Sequence, residues 1–251
     1  MSGHSKWSTI KRKKGAADAK RGQLFTRLAR EITLSARIGG GDPDANVRLR
    51  LAIDRARANN MPKDNIERAI ARGSGTSKDG SALEEIFYEG YGPHGIALMI
   101  ECVTDNRNRA VADVRHVLNR YGGSMGEGGS VSWQFNRSAY FSIMLDGVDP
   151  DLVFELAVDA GADDVTIGSD LVEVIGPVES FKSINDALTG NGIHLEEAGL
   201  RMMPVNEITL SADETLHVLK VVDALEELDD VQNVYSNLYV SDELLTQIEA
   251  S

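Results

Sequence analysis

The hydrophobic period of this chain changes at Gly73-Ser74-Gly75-Thr76-Ser77, and that change limits the folds open to it. Before the break, apolar residues recur at helical spacing. After it, short alternating runs are interleaved with helical ones. A run of small, flexible residues between two such regimes predicts a linker between a helical module and an α+β body.

The first predicted helix spans Ala16 to Ile38 and stops at Gly39-Gly40-Gly41. Leu24, Phe25, Leu28, Ile32 and Ala36 share one face, and Lys20, Arg27, Arg30 and Arg37 share the opposite one. A second helix is expected from Asp42-Pro43, a cap residue followed by proline, to about Asn59-Asn60. A third is expected from Pro62 to Gly73, burying Ile66, Ala69 and Ile70. Ahead of them, residues 1–15 carry Lys6, Lys11, Arg12, Lys13 and Lys14 with little apolar content, and are expected to form a mobile basic arm.

Beyond the linker, strands are expected at Gly95–Val103, Ser130–Phe135, Ala139–Leu145, Asp164–Ile167, Leu171–Ile175, Leu200–Met203, Glu207–Leu210 and Val231–Ser236. Helices are expected at Arg107–Tyr121, Asp151–Ala160, Glu179–Leu188 and Asp213–Leu228. The order βαββαβ over residues 139–204 is a complete split-βαβ, ferredoxin-like unit. The flanking pieces pair into a second one. The fold class is therefore α+β: a helical N-terminal domain followed by two ferredoxin-like domains, one inserted in the other. The expected divisions are 1–78, then 79–136 joined with 205–240, with 137–204 inserted; the alternative is two unrelated α+β domains in series.

Charge is unevenly distributed. Residues 1–80 hold 18 Lys+Arg and 8 Asp+Glu, a net of +10; the remainder holds 8 and 31, a net of −23, giving the overall −13. A basic segment on an acidic chain points to a polyanionic partner, most often nucleic acid. The competing expectation is internal, with the basic third docking on the acidic remainder. Lys11-Arg12-Lys13-Lys14, with Trp7 just upstream, combines phosphate-neutralising cations with an aromatic able to stack on an unpaired base. The candidate nucleic-acid contacts are Lys6, Trp7, Lys11, Arg12, Lys13, Lys14, Lys20, Arg27, Arg30 and Arg37.

Other chemistry finds little support. Gly122-Gly123-Ser124-Met125-Gly126 matches G-x-S-x-G, but a predicted helix precedes it and a strand follows, the reverse of a nucleophile elbow. No Walker sequence or dinucleotide fingerprint occurs. The histidines His4, His94, His116, His194 and His217 lack metal-ligand spacing. Cys102, the single cysteine, closes an apolar strand and is expected to be a buried, inert thiol, which suits a reducing compartment. No catalytic residue, metal or cofactor is expected. With no long apolar run and no secretory h-region after the basic start, a cytoplasmic protein without membrane contact is expected.

Gly3-His4-Ser5-Lys6-Trp7, Met61-Pro62-Lys63-Asp64-Asn65-Ile66-Glu67-Arg68-Ala69-Ile70, Tyr88-Glu89-Gly90-Tyr91-Gly92-Pro93, Thr104-Asp105-Asn106-Arg107-Asn108-Arg109 and Val234-Tyr235-Ser236-Asn237 resemble the YebC/PmpR family along essentially the whole chain. Mitochondrial members are translational activators of cytochrome c oxidase. The resemblance implies a three-domain cytoplasmic protein and a DNA-binding transcriptional regulator. It implies as an alternative a ribosome-associated factor that relieves stalls at proline-rich stretches. It carries no catalytic residues.

Overall fold

The computed structural model describes residues 17–75, 83–241 and 244. They form an α+β structure with helices at the N-terminal end followed by two antiparallel four-stranded sheets. The chain divides into two compact units: Phe135–Met203, and the residues before and after it.

In the larger unit, α1 (Ala17–Gly39), α2 (Val47–Ala58) and α3 (Lys63–Gly73) pack around Leu28, Ile32, Ala36, Leu49, Ile53, Ile66 and Ala69, with Leu24 and Phe25 at the margin. That is the face the periodicity predicts. The second helix begins later than Asp42-Pro43 suggests. The Asp42 side chain accepts a local turn bond from the Asp44 amide, 3.0 Å. Asn46 is the true cap: its Oδ1 accepts the Leu49 amide at 3.1 Å, and its Nδ2 donates to the Ser35 and Gly40 carbonyls, 2.8 Å each. One buried side chain thus closes α1 and opens α2. At the other end of the module, a Cβ on Gly73 would lie 2.2 Å from the Thr33 carbonyl oxygen, so only glycine lets α3 meet α1 there.

The sheet of this unit runs β3 (Ser124–Met125), β1 (Glu84–Tyr91), β2 (Ala97–Thr104), β9 (Val231–Ser236). Helices α4 (Arg107–Arg120) and α7 (Ala212–Glu226) cover one face, burying Leu98, Ile100 and Cys102 among Val114, Leu118, Val218, Val222 and Leu225. On the other face Val103 meets Leu34 of α1 and Leu83. Buried on both faces, β2 reads as an apolar run interrupted by Glu101. β1 is absent from the periodicity because Glu84, Glu85 and Glu89 interrupt it. Tertiary partners satisfy all three: Glu84 binds Arg107, Glu85 lies 2.6 Å from Arg48, and Glu89 binds the loop described below. A short parallel pair, β8 (Ile208–Thr209) with β10 (Leu238–Tyr239), lies alongside in the chain.

The expected strand Ser130–Phe135 does not form. Glu89 takes the amides of Gly129, Val131 and Ser132, Ser132–Gln134 is a 3₁₀ turn, and only Phe135 enters a strand, as the first residue of the next one.

The smaller unit is β4 (Phe135–Met144), α5 (Pro150–Asp159), β5 (Asp164–Ile167), β6 (Leu171–Gly176), α6 (Phe181–Gly190) and β7 (Glu197–Pro204), with sheet order β5-β6-β4-β7. This is the split-βαβ arrangement. Ala139, Phe141, Ile143, Val172 and Val174 face Val153, Ala157, Ile184 and Leu188. On the opposite face the Tyr140 hydroxyl donates to Glu173 at 2.7 Å, and the Arg201 guanidinium lies 3.8 Å from the Tyr140 ring centroid.

Candidate nucleic-acid interface

Of the sequence-predicted contacts, Lys6, Trp7, Lys11, Arg12, Lys13 and Lys14 lie outside the described residues, and Lys20 is described only as a backbone position in α1. The structure places Arg27, Arg30 and Arg37 against the α/β body. Arg27 Nη1 donates to the Glu226 carbonyl at 3.3 Å. Arg30 donates to the Asp229 carbonyl and lies 2.8 Å from Asp230 Oδ1. Arg37 donates to the Leu83 carbonyl at 2.8 Å. Gln23 donates to the Glu227 carbonyl at 3.2 Å.

Gln23, Arg27, Arg30, Leu34 and Arg37 are spaced 4, 3, 4 and 3 apart, a single stripe of α1. Spacing alone could have joined Gln23 and Leu34 to the three arginines. It could not show that the stripe meets the end of α7, where unpaired carbonyls and the helix dipole favour cations. The carboxylate that completes the contact, Asp230, was not singled out, because it follows Glu226, Glu227 and Asp229 in an ordinary acidic run. It is buried, accepts both Nε and Nη2 of Arg109 at 2.9 Å, and its own carbonyl accepts the Val103 amide at 2.8 Å. Arg109 also binds Asp105 at 2.8 Å; these carboxylates raise the pKa of its guanidinium further, and the Asp105 carboxyl is lowered chiefly by that hydrogen bond.

Between α1, α2 and the sheet lies a second group of charges. Glu101 is buried and accepts Asn233 Nδ2 at 2.9 Å and the Tyr235 hydroxyl at 2.8 Å. Burial raises its carboxyl above the ordinary value despite those bonds.

The third feature is the loop after β3. One Glu89 oxygen accepts the Gly129 amide at 2.7 Å; the other accepts those of Val131 and Ser132 at 2.7 and 2.9 Å. Burial works to raise this carboxyl, and the backbone hydrogen bonds overcome it, leaving it below its ordinary value. The Ser130 carbonyl accepts both the Tyr91 hydroxyl and Trp133 Nε1, each at 3.0 Å. Trp133 is nevertheless 73% exposed.

Enzymatic candidates gain nothing from the geometry. Ser124 begins a two-residue strand after α4, in the reverse of the elbow order. Cys102 is buried, and burial pushes its thiol up to about 12. His94 Nε2 lies 3.3 Å from His217 Nδ1, and His94 Nδ1 lies 3.5 Å from Glu214. Among the described residues, no three His, Cys, Asp or Glu side chains are grouped to hold a metal ion. Among them also, no helix is long and apolar enough to cross a membrane.

The described residues present a helical module latched by arginines to an α+β body. The family model for the TACO1/YebC protein N-terminal domain matches residues 5–76, and that for the TACO1/YebC second and third domain matches residues 83–238. The chain belongs to the TACO1/YebC family. It is 51% identical over 251 residues to a probable transcriptional regulatory protein of Prosthecochloris aestuarii, covering 100% of both chains. It is 50% identical over 248 residues to one of Geobacter sulfurreducens, covering 99% of this chain and 100% of that one. The crystal structure of a conserved hypothetical protein from Aquifex aeolicus superposes with a TM-score of 0.83 at 39% identity, covering 92% of this chain and 95% of the other.

Proposed function

We propose that this protein is a non-enzymatic, cytoplasmic regulator of gene expression that binds nucleic acid through its basic N-terminal end, acting as a DNA-binding transcriptional regulator. The observation that carries this is the charge division: +10 over residues 1–80 against −23 over the rest. Arg27, Arg30 and Arg37 enter as anchors, since their side chains hold α1 to the body. The contacts to phosphate then fall to Lys6, Lys11, Arg12, Lys13, Lys14 and Lys20, with Trp7 as a stacking group. The relatives' names as transcriptional regulators support the same assignment.

Binding to duplex DNA should weaken with salt along a log–log slope of about −4 to −5 if about five phosphates are neutralised. A flat salt response, or affinity unchanged when Lys11 to Lys14 become alanine, overturns the role of the arm. The large acidic body, which duplex DNA repels, favours a second reading: a ribosome-associated translation factor. Sedimentation of lysate through a sucrose gradient separates the two. Co-migration with ribosomal particles supports translation; its absence, with sequence-selective protection of DNA, supports transcription.

A further inference from the structure

We infer that the outer side of α5 and the open edge of β5 form a groove for an extended, lysine- and arginine-rich segment of a protein partner, which adds to the sheet as a further strand. The groove lies wholly within the smaller unit and does not depend on the nucleic-acid contacts of the N-terminal end.

β5 closes the sheet of that unit, with β6 on one side and, among the described residues, no strand on the other. The Gly168 amide donates to the Leu171 carbonyl at 2.9 Å, and bonded pairs alternate along an antiparallel ladder. Asp164 and Thr166 therefore bond to β6, while the N–H and C=O groups of Val165 and Ile167 point away from the sheet. The side chains of Val165 and Ile167 stand opposite Val174 and Val172, on the face that the helices cover. Val165 packs against the core there, and Ile167 is 46% exposed.

α5 carries the chain from β4 to β5, which run parallel because each is antiparallel to β6. Connections of this kind are right-handed. Val153 and Ala157 face the sheet. With that hand, the residues that follow them, Phe154 and Val158, turn toward the β5 edge, and Leu156 turns toward α6. Leu156 accordingly packs on the core, whereas Phe154 and Val158, one turn apart, are 48% and 46% exposed. A strand laid along β5 brings alternate side chains onto Phe154, Val158 and Ile167, and its backbone bonds to Val165 and Ile167. Open peptide groups and uncovered apolar surface are thus met by one occupant.

Charge defines that occupant. Residues 138–181 hold ten Asp+Glu and no Lys, Arg or His. Asp151 and Glu155 are exposed on α5, and Asp163 and Asp164 at the start of β5. Such a rim repels a polyanion and attracts a cationic polypeptide. A segment with apolar residues at alternate positions and lysines or arginines between them matches both the apolar strip and the rim.

The full-length protein is titrated, with fluorescence anisotropy as readout, with a labelled peptide of about seven residues alternating Lys and Val, and with a Lys-Gly peptide of the same length and charge. The Lys-Val peptide is expected to bind at least about fivefold more tightly than the Lys-Gly peptide. Replacing both Phe154→Ser and Val158→Ser should weaken the Lys-Val peptide by at least about fivefold. Ile167→Pro should weaken it too, because it removes an outward N–H and spares the bonds to β6. Circular dichroism checks that the variants keep their fold, and the comparison of the two peptides needs no variant. No binding of the Lys-Val peptide at low salt overturns the groove. So do affinities of the two peptides, or of the parent and the serine variant, that agree within about twofold. Weakened binding of an oligouridylate by the serine variant also overturns it, since the occupant would then be a nucleic acid.

Discussion

Arg30 and Asp230 are 200 positions apart in the chain, and their side chains meet at 2.8 Å where α1 crosses the turn between α7 and β9. Asp230 holds Arg109 of α4 at the same time. One buried carboxylate therefore joins the N-terminal helices, the helix packed on the far face of the sheet, and the last long strand.

Removing that carboxylate should be costly, because it leaves two guanidinium groups without a shared acceptor. Asp230→Ala is expected to destabilise the larger unit by about 3 kcal/mol or more. Arg30→Ala, at a partly exposed position that keeps the Asp230–Arg109 pair, should cost about 1–2 kcal/mol. Urea unfolding followed by circular dichroism measures both. A loss below about 1 kcal/mol for Asp230→Ala would show that the network does not hold the module in place.

The Glu89 clamp should appear as an acid-dependent loop. Its carboxyl is lowered in the folded protein, so its stabilising contribution is present above the ordinary value of 4.5 and lost as pH falls through the lower folded value. Trp133 lies in the clamped loop, so its emission in Trp7→Phe protein should change as pH falls below that point. In the same background, Glu89→Gln should show the acid-form spectrum already at neutral pH. Identical neutral spectra for the two proteins would refute the clamp.

Glu101 should act in the opposite direction. Burial raises its carboxyl, so its contribution is fully present below the ordinary value of 4.5 and is lost as pH rises through the higher folded value. Glutamine keeps an oxygen to accept Asn233 and Tyr235 without the charge. Glu101→Gln is therefore expected to be at least as stable as wild type at neutral pH and to flatten the stability profile above pH 4.5. A variant markedly less stable at neutral pH would mean that the ionised form is the one the fold requires.

Cys102 should be unreactive in the native protein. A thiol that is buried and pushed up to about 12 offers almost no thiolate at pH 8. An aromatic disulfide reagent should label it only on unfolding, at a rate that rises with urea. Rapid stoichiometric labelling without denaturant would contradict this burial.

Much of the framework was legible in residue patterns. The core face of α1, the Asp149-Pro150 start of α5, the hairpin around Gly168-Ser169 and the strand Val231–Ser236 each follow from local period and turn chemistry. What escaped was decided by distant partners. β1 looks too acidic for a strand until Arg107, Arg48 and the Gly129–Ser132 amides are brought to its glutamates. Ser130–Phe135 looks like a strand until Glu89 takes its amides. The arginine stripe of α1 was legible as a stripe, but not as the contact it makes, because its acceptors are mostly backbone carbonyls some 200 residues away. The exposed Trp133 carried no local signal at all.

The pairing of β2 with β9 also sets an order of events during synthesis. Leu98 lies opposite Ser236, and the whole of Phe135–Met203 is made between them. That middle segment has its own core, so it can be finished while the earlier strands still present an unpaired edge. Closing so wide a loop adds little to the equilibrium cost, since loop entropy grows only logarithmically with length, but it delays completion. Until the last strand emerges, Asp230 is missing too, and Arg27 and Arg30 of the nascent chain lack their acceptors while Arg37 and Arg48 already have Leu83 and Glu85.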